Sequence, residues 1–304
     1  MRASHRSNLF PRLARAMPTT SVFAPAKINL TLHVTGQRSD GYHLLDSLVA
    51  FAPVGDTLDI ALGPGTGRGL TLTVSGPEAA GVPVDGSNLV CKAAVLAGRS
   101  DLALYLHKSL PAASGIGGGS SDAAAVLRGL GATPDPQAVM RLGADVAMCL
   151  TPHPQRVQGI GEQLTPAQLP PLPALLVNPR VEVATPAVFK ALPAKTNTPM
   201  PAQLPDFAGV TDCIDWLATQ RNDLQAPAIA LAPEIGAVLE ALTVLPTCRL
   251  ARMSGSGATC FALFETEREM QNAQTHLRRT HADWWIAGGW LGDQSLKARP
   301  MSHD

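Results

Sequence analysis

The chain has 304 residues, with 24 basic and 24 acidic side chains, 45% hydrophobic residues and only 16% charged residues. A chain this apolar and this weakly charged is not intrinsically disordered, and its length allows two domains or one large one. Zero net charge disfavours a protein that binds nucleic acid by neutralising many phosphates. We therefore expect a globular protein that does not bind nucleic acid.

The five cysteines are scattered, odd in number and without a CxxC pair, so neither a disulfide framework nor a zinc site is expected. Reduced, buried thiols of this kind are typical of a cytoplasmic protein. No apolar run approaches the roughly twenty residues that a membrane-spanning helix needs. We expect a cytoplasmic protein with no membrane association.

The first sixteen residues contain four arginines and no acidic residue, a composition shared with organelle transit peptides. Two simpler interpretations remain open, namely a disordered tail or a true start at Met17. Residues 1–20 are therefore treated as an N-terminal extension outside the fold.

The first half of the remaining chain has mostly β patterns. Apolar residues alternate with polar ones from Ile28 to Val34, which predicts a half-buried strand. The glycine-rich segment 63–69 predicts a hairpin that joins its two flanking strands. The other predicted strands cover 44–51, 57–62, 70–74 and 102–106, and the predicted helices cover 87–96, 120–130 and 136–142.

The second half begins in a proline-rich stretch, since 12 of the 26 prolines lie between residues 152 and 205. We place the domain boundary near its start, with an N-terminal lobe at 21–160 and a C-terminal lobe at 161–304. Strands and helices are interspersed without regular βαβ alternation, which favours an α+β fold. Strands are predicted at 174–177, 181–183, 249–253, 259–264 and 284–286, and helices from Thr185 and at 211–220, 233–243 and 266–279.

The strongest chemical signal is the segment from Leu110 to Ala125, in which four glycines occupy five positions just before a helix. Glycines let successive backbone N–H groups converge on one anion, and the helix N-terminus adds its free N–H groups. A glycine turn that simply joins a strand to a helix needs only one glycine. The segment predicts a phosphate site, which a branched side chain at Gly118 would block. Ser120 and Ser121 could each cap the helix, contact phosphate or reach Mg²⁺.

Familiar phosphate motifs do not fit this segment. It lacks the GxxxxGK[ST] pattern of a Walker A loop and the full GxGxxG pattern of a dinucleotide-binding fold. The HRD and DFG signatures of protein kinases are absent from the sequence.

Four further segments carry candidate functional residues. Lys27 and Asn29 lie two apart and so on one face of a strand, although a lysine at a sheet edge more often points to solvent. Residues 40–43 hold Tyr42 and His43 in what is otherwise a polar surface turn. Asp145 lies in an apolar stretch, where it must be functional, paired or a helix cap. Residues 254–257 form a Ser-Gly turn that either contacts an anion or is an ordinary flexible hairpin.

Together and in order, these segments resemble the galactokinase–homoserine kinase–mevalonate kinase–phosphomevalonate kinase superfamily. The blocks PAKINLTLHV, DGYHLLDSL, LPAASGIGGGSSDAA, LGADVAMCL and MSGSGATCFALF, with ATPAVF and RNDL, look most like its family of 4-diphosphocytidyl-2-C-methyl-D-erythritol kinases. The resemblance covers about residues 23–290. It implies a two-lobed small-molecule kinase fold with the active site between the lobes.

The resemblance also implies the reaction, in which the γ-phosphoryl group of ATP is transferred to the 2-hydroxyl of the cytidyl-linked methylerythritol. Asp145 would accept the hydroxyl proton, and Lys27 would orient Asp145 and stabilise the transferring group. Mg²⁺ would bridge phosphate oxygens, with Ser120 as a candidate ligand. The expected ATP-binding residues are Lys108, Pro111, Ala112, Ala113, Ser114, Gly115, Ile116, Gly117, Gly118, Gly119, Ser120 and Ser121. The expected substrate-binding residues are Asn29, Tyr42, His43, Thr185, Phe189, Gly255, Ser256 and Gly257.

The chain departs from the family pattern at Ala147, where proline is frequent, and in a short segment at 91–102 that bears on adenine binding. Three other interpretations remain open: a kinase for another alcohol, a non-catalytic nucleotide-binding regulator and a nucleic-acid-binding module. The presence of both Lys27 and Asp145 argues against the regulator. We expect a small-molecule enzyme that is a monomer or a homodimer.

Overall fold

The computed structural model describes residues 19–61 and 69–303. Its strands are β1 Thr19–Asn29, β2 His33–Gln37, β3 His43–Ala61, β4 Thr71–Ser75, β5 Ala103–His107, β6 Gln155–Gly159, β7 Gln163–Pro166, β8 Leu172–Asn178, β9 Leu250–Met253, β10 Cys260–Leu263, β11 Trp285–Leu291 and β12 Met301–His303. Its helices are α1 Leu89–Leu96, α2 Gly118–Gly129, α3 Pro136–Leu142, α4 Ala144–Leu150, α5 Thr185–Lys190, α6 Val210–Ala218, α7 Gln225–Leu231, α8 Glu234–Thr243 and α9 Glu267–Thr280.

The strands form two sheets. The larger sheet follows the order β12-β1-β3-β5-β4, and the long strand β3 also pairs with β2 and β6, the latter extended by β7. The smaller sheet has the order β11-β8-β10-β9, with every pair antiparallel. This mixture of sheets and helices confirms the predicted α+β class.

The two sheets pack face to face, with helices on their outer faces. In β3, Val49 and Phe51 pack under the helices of the first lobe, whereas Leu48 and Ala50 face the second sheet. Strand β8 divides its side chains in the same way between the two cores on either side of it. All seven residues of β8 are buried. A strand covered on both faces has a continuous apolar sequence, because neither set of alternating side chains meets water.

The strand predicted from Ile28 to Val34 is interrupted. Strand β1 ends at Asn29 and β2 begins at His33. Between them the Thr31 hydroxyl accepts from the Leu48 N–H at 2.8 Å, and the Ser47 hydroxyl donates to the Thr31 carbonyl at 2.5 Å. Hydrogen bonds from side chains thus replace some of the backbone hydrogen bonds between the strands. The alternation of apolar and polar residues gives no sign of this interruption.

The predicted hairpin across 63–69 is wrong. Strand β5 lies between β3 and β4, and β4 runs parallel to β5 instead of antiparallel to β3. Leu104 and Leu106 of β5 are 1% exposed and pack in the interior, whereas Thr71 and Thr73 of β4 are exposed to solvent at the edge of the sheet. Residues 62–68 themselves lie outside the described part of the chain.

Other predicted elements shifted or were missed. Residues 181–183 are not a strand, and α4 and α7 were not predicted. The larger sheet continues through β7, so the predicted boundary at residue 160 falls inside the β6–β7 hairpin. Strand β1 begins at Thr19, two residues inside the assigned extension, and pairs with the C-terminal strand β12. The rest of that extension, residues 1–18, lies outside the described residues.

Within the described ranges, no helix is both long enough and apolar enough to cross a bilayer.

Candidate active site

One cavity of about 1180 Å³ collects the predicted site residues. Its walls come from the glycine-rich segment before α2, the start of α4, the β2–β3 turn, α5 and the β9–β10 turn. Of the residues assigned from the sequence, all line this cavity except Ile116, Ser121 and Gly257. Segments far apart in the chain, from both lobes, therefore meet at one place.

Lys27 and Asp145 form an ion pair in this cavity. The Lys27 Nζ lies 3.0 Å from Asp145 Oδ2 and donates to Asn29 Oδ1 at 2.8 Å. Lys27 is only 4% exposed, so the interpretation of a solvent-facing edge lysine is wrong. Asn29 is held in turn because its Nδ2 donates to the Ser47 hydroxyl at 2.8 Å. The ammonium group is thus fixed in position before any ligand binds.

Asp145 lies in the first turn of α4 and keeps 40% of its side chain exposed. Gly143 is the N-cap of α4 and no side chain caps this end, so the interpretation of Asp145 as a capping residue is wrong. One carboxylate oxygen pairs with Lys27, while the group remains open to the cavity. A carboxylate placed in this way can accept a proton from a bound hydroxyl.

The glycine loop, residues 111–119, needs glycine at two positions for two different reasons. Gly115 has φ +74°, and a Cβ placed on it would lie 2.5 Å from the Ser254 carbonyl oxygen. Gly117 has φ +66° as the N-cap of α2, and a Cβ there would lie 3.1 Å from Lys27 Cε. Glycine therefore lets the loop touch both the second lobe and Lys27, which a simple connecting turn would not require.

Several residues of the predicted phosphate site point into the protein. The Ser114 hydroxyl donates to the Pro111 carbonyl at 2.6 Å, and the Ser121 hydroxyl donates to the Pro25 carbonyl at 2.8 Å. Ile116 is fully buried, and its carbonyl accepts from the Lys27 N–H at 2.9 Å. Ser121 thus holds α2 against β1, and Ser120 is the serine of the pair that lines the cavity.

Lys108 lies beneath the glycine loop in a buried cluster with Asp56 and Asp122. Its ammonium contacts Asp56 Oδ2 and lies 2.8 Å from Asp122 Oδ2. Burial alone would lower the pKa of Lys108, but the two carboxylates outweigh it and raise that pKa. Burial, followed by the neighbouring Asp56, raises the pKa of Asp122. The cluster supports the loop from below, and because Lys108 also lines the cavity, its place beside the nucleotide stays a prediction.

This cluster changes the argument for Gly118. A Cβ on Gly118 would lie 3.5 Å from Lys108 Nζ and 3.7 Å from Asp56 Oδ2, which are ordinary contacts. The Cβ would thus face the buried ion cluster, while Gly118 itself lines the cavity. We expect a branched residue at this position to disturb the cluster, and the block of phosphate binding inferred from the sequence stays a prediction.

The Ser-Gly turn of the second lobe docks directly on the glycine loop. It joins the antiparallel strands β9 and β10, so it is a hairpin, but it is not free. The Ser254 hydroxyl donates to the Gly115 carbonyl at 3.1 Å, and the Thr259 N–H donates to the Ser114 carbonyl at 3.1 Å. Asn222 holds the turn from behind, donating to the Met253 and Gly255 carbonyls at 2.8 and 2.9 Å.

The opposite end of the cavity is aromatic. Tyr42 is 61% exposed at the rim, and His43 stacks on Phe189 with ring centroids 4.7 Å apart. The His43 Nε2 is buried without a hydrogen-bond partner. Thr185 shares a 2.7 Å hydrogen bond with Ser256 and so joins α5 to the Ser-Gly turn. A buried ring nitrogen without a partner is costly unless a ligand satisfies it.

Sequence reasoning missed several residues that line the same cavity. Ser47 supports Asn29, and Lys190 and Lys195 stand near the aromatic end. Lys190 could have been identified from the sequence, because it directly follows Phe189. No local sequence feature marks Lys195 as a site residue. A third missed part is a cavity wall between β4 and the start of α1, formed by Gly81, Val82, Pro83, Ser87, Asn88 and Leu89.

Comparisons with known proteins identify the family of this chain. Residues 88–153 match the GHMP kinases N terminal domain, and residues 204–283 match the GHMP kinases C terminal domain. A 4-diphosphocytidyl-2-C-methyl-D-erythritol kinase of Dinoroseobacter shibae is 61% identical, over 87% of this chain and 92% of its own length. The enzyme of the same name from Roseobacter denitrificans is 54% identical, over 92% of this chain and 96% of its own.

Solved structures give the same result. A crystal structure of a 4-(cytidine 5'-diphospho)-2C-methyl-D-erythritol kinase has a TM-score of 0.70 and 33% identity, covering 90% of this chain and 99% of that one. A homoserine kinase from Cytophaga hutchinsonii, at 17% identity and a TM-score of 0.60, shares the fold over 94% of this chain and 97% of its own. The expected two-lobed kinase fold is confirmed, and the chain belongs to the 4-diphosphocytidyl-2-C-methyl-D-erythritol kinase family of the GHMP kinases.

Proposed function

We propose that this enzyme transfers the γ-phosphoryl group of ATP to the 2-hydroxyl of 4-diphosphocytidyl-2-C-methyl-D-erythritol, a step of non-mevalonate isoprenoid precursor synthesis. One observation carries the proposal. The Lys27–Asp145 pair lies in a single cavity that has the glycine loop at one end and the His43–Phe189 stack at the other. A donor phosphate and a base-containing acceptor can thus bind on either side of one proton acceptor.

In the proposed mechanism the acceptor hydroxyl lies against Asp145, which takes its proton as the oxygen attacks the γ-phosphorus, while the bond from that phosphorus to the β-phosphate oxygen breaks and ADP leaves. Lys27 keeps the carboxylate oriented through the 3.0 Å ion pair and stabilises charge on the transferring group. The backbone N–H groups at the start of α2 bind the polyphosphate, because the helix leaves them without internal partners.

We also propose Mg²⁺ as a cofactor. Ser120 lines the cavity, and its hydroxyl lies 3.9 Å from the Cβ position of Gly143, next to the start of α4. The described residues contain no group of three His, Cys, Asp or Glu side chains that could hold a metal. A single hydroxyl ligand such as Ser120 fits Mg²⁺, because this ion is commonly held by one or two protein ligands together with substrate phosphates. Mg²⁺ would supply charge neutralisation on those phosphates, with Ser120 as its protein ligand.

The aromatic end of the cavity suits the cytosine ring of the acceptor. Tyr42 and Phe189 offer aromatic faces for stacking. The unpartnered Nε2 of His43 can accept a hydrogen bond from an exocyclic amino group. Asn29, Thr185 and the 255–257 turn would then contact the rest of the acceptor. We propose that the enzyme works in the cytoplasm, as a monomer or homodimer, on this small molecule.

Parallel ATP-consumption assays test this function. The purified enzyme is supplied with Mg²⁺–ATP and, separately, the cytidyl-linked methylerythritol, homoserine or mevalonate. We expect turnover with the cytidyl compound alone, because neither of the others has a base for the aromatic end. Comparable turnover with homoserine or mevalonate would contradict the acceptor assignment, and no turnover with any of the three would contradict the proposed reaction.

The pH dependence of acceptor binding tests the role of His43. Burial, followed by the charge of Lys195, lowers the pKa of His43 below its usual 6.5. The ring is therefore neutral at pH 7, and it loses its acceptor lone pair as the pH falls through this lowered pKa. We expect the KM for the cytidyl acceptor to rise about fivefold as the pH falls through this lowered pKa, the equivalent of about one hydrogen bond, with little change in the KM for ATP.

Replacing His43 with asparagine should remove this pH dependence. His276→Asn, on the exposed face of α9, is the matched control and should retain it. A wild-type acceptor KM with the same pH dependence as that of the His43→Asn enzyme would contradict the assignment.

A further inference from the structure

A bidentate ion pair joins the two lobes beside the nucleotide end of the cavity. The two terminal nitrogens of Arg180 each lie 2.8 Å from one carboxylate oxygen of Glu78. Glu78 follows β4 in the first lobe, and Arg180 follows β8 in the second. The Glu78 side chain is 9% exposed and the Arg180 side chain 47%, so the contact is buried on the carboxylate side only, and its two parallel hydrogen bonds make the geometry directional.

Arg180 adopts a backbone conformation that arginine rarely takes, with φ +61°. The Asn178 side chain stabilises it by accepting from the Arg180 N–H at 2.7 Å. Asn178 is 1% exposed, and its Nδ2 donates to the Thr259 hydroxyl at 2.9 Å. The Thr259 N–H in turn donates to the Ser114 carbonyl. The turn that presents Arg180 is therefore connected by hydrogen bonds to the glycine loop. A strained backbone kept in this way points to a function for the side chain.

The other partner, Glu78, belongs to the segment that forms the missed cavity wall. The Glu78 N–H donates to the Lys108 carbonyl at 3.2 Å, which anchors the segment next to the strand that enters the glycine loop. Further along, Asn88 donates to the Pro83 carbonyl at 2.7 Å and caps α1. Leu89 Cδ1 lies 3.7 Å from the Cβ position of Gly119. The wall therefore stands directly beside the start of α2.

The lining of this wall suits a nucleobase. Val82, Pro83 and Leu89 offer apolar surface, and Ser87 and Asn88 add polar groups at its edge. Flat aromatic ligands bind in pockets of this kind, with apolar walls and a few polar groups for orientation. The wall adjoins the predicted phosphate loop, as the base end of a nucleoside triphosphate requires.

We propose that the Glu78–Arg180 pair is a positioning element for the phosphoryl donor, holding the 81–89 wall against the glycine loop so that the base end of the nucleotide site is preformed. The proposal rests on the proposed function, because it takes ATP as the donor. Glu78 and Arg180 do not line the cavity and act through the wall. Loss of the pair leaves the wall attached to the first lobe alone, so it should weaken nucleotide binding and leave the chemical step intact.

Two single variants and their combination test the pair. Glu78→Gln keeps the shape of the side chain, and Arg180→Asn places a residue that tolerates positive φ. We expect the Kd for ADP, measured by calorimetry, to rise roughly fivefold in each, the upper range for a partly exposed ion pair. The KM for ATP should rise in parallel, while kcat and the KM for the acceptor stay within roughly twofold. The double variant should bind ADP no more weakly than either single variant, because both remove the same interaction.

Arg249→Gln is the matched control, since Arg249 pairs with Asp215 on the exposed surface of the second lobe. It should leave the affinity for ADP unchanged. Unchanged ADP affinity in Glu78→Gln and Arg180→Asn, additive losses in the double variant, or equal losses for both substrates would each overturn the positioning role. Wild-type enzyme that fails to bind ADP would instead refute the donor assignment, so the two failures are distinguishable.

Discussion

Replacing Asp145 with asparagine is expected to lower kcat about a thousandfold, within the range measured for loss of a general base. The amide cannot accept the hydroxyl proton, although it keeps the size of the carboxylate and can still contact Lys27. The glycine loop does not depend on Asp145, so the KM for ATP should change less than roughly twofold. Steady-state kinetics with ATP and the cytidyl acceptor measure both values.

The matched control for this variant is Asp283→Asn, at an exposed turn after α9 and remote from the cavity. It should retain full kcat. An Asp145→Asn enzyme with near-normal turnover would show that proton acceptance lies elsewhere. A large rise in the KM for ATP at unchanged kcat would place Asp145 in nucleotide binding instead.

Replacing Lys27 with methionine is expected to lower kcat by roughly 10²–10³-fold, as for the loss of one preorganised charge at a transition state. The unbranched side chain still fits beneath Gly117, but Asp145 loses its orienting partner. The ammonium charge acts mainly on the transferring group, so substrate KM values should change far less than kcat. Steady-state kinetics that compare the change in kcat with the change in each substrate KM test this expectation.

This variant also leaves the Asn29 side-chain oxygen without its 2.8 Å partner, so thermal unfolding should be measured alongside the kinetics. Lys92→Met, on the exposed face of α1, is the control for loss of a lysine charge. If Lys27→Met lowered kcat only in proportion to a loss of folded protein, the catalytic role would be wrong.

Sequence patterns predicted the glycine loop well because its signal is local. Four glycines in five positions exceed the need of any turn. In the structure a Cβ on Gly115 would clash with the Ser254 carbonyl oxygen, and one on Gly117, which has a positive φ, would crowd the Lys27 side chain. The partnership of Lys27 with Asp145 is different, since these residues lie in separate segments and no spacing rule joins them. That pairing came only from the resemblance to a known family.

Predictions failed where the deciding partner was distant in the chain. Ser121 looks like a phosphate ligand until Pro25 is known to accept its hydroxyl hydrogen bond. The hairpin assignment failed because β5 competes for the edge of β3, and its leucines bury more apolar surface there than β4 can. The position of the glycine loop could be predicted from the sequence. The ion cluster that supports it could not, because Lys108 meets two carboxylates that come from different elements.

The docking of the Ser-Gly turn on the glycine loop limits how the chain can be divided into fragments. The larger sheet is nearly complete at Pro166 and the smaller one begins at Leu172, so the chain could be cut between them without interrupting a strand. Yet carbonyls of the glycine loop accept hydrogen bonds from Ser254 and Thr259 across that cut. Two halves expressed separately would each carry only part of the proposed donor site. The fold therefore consists of two lobes, but the proposed nucleotide site needs both of them.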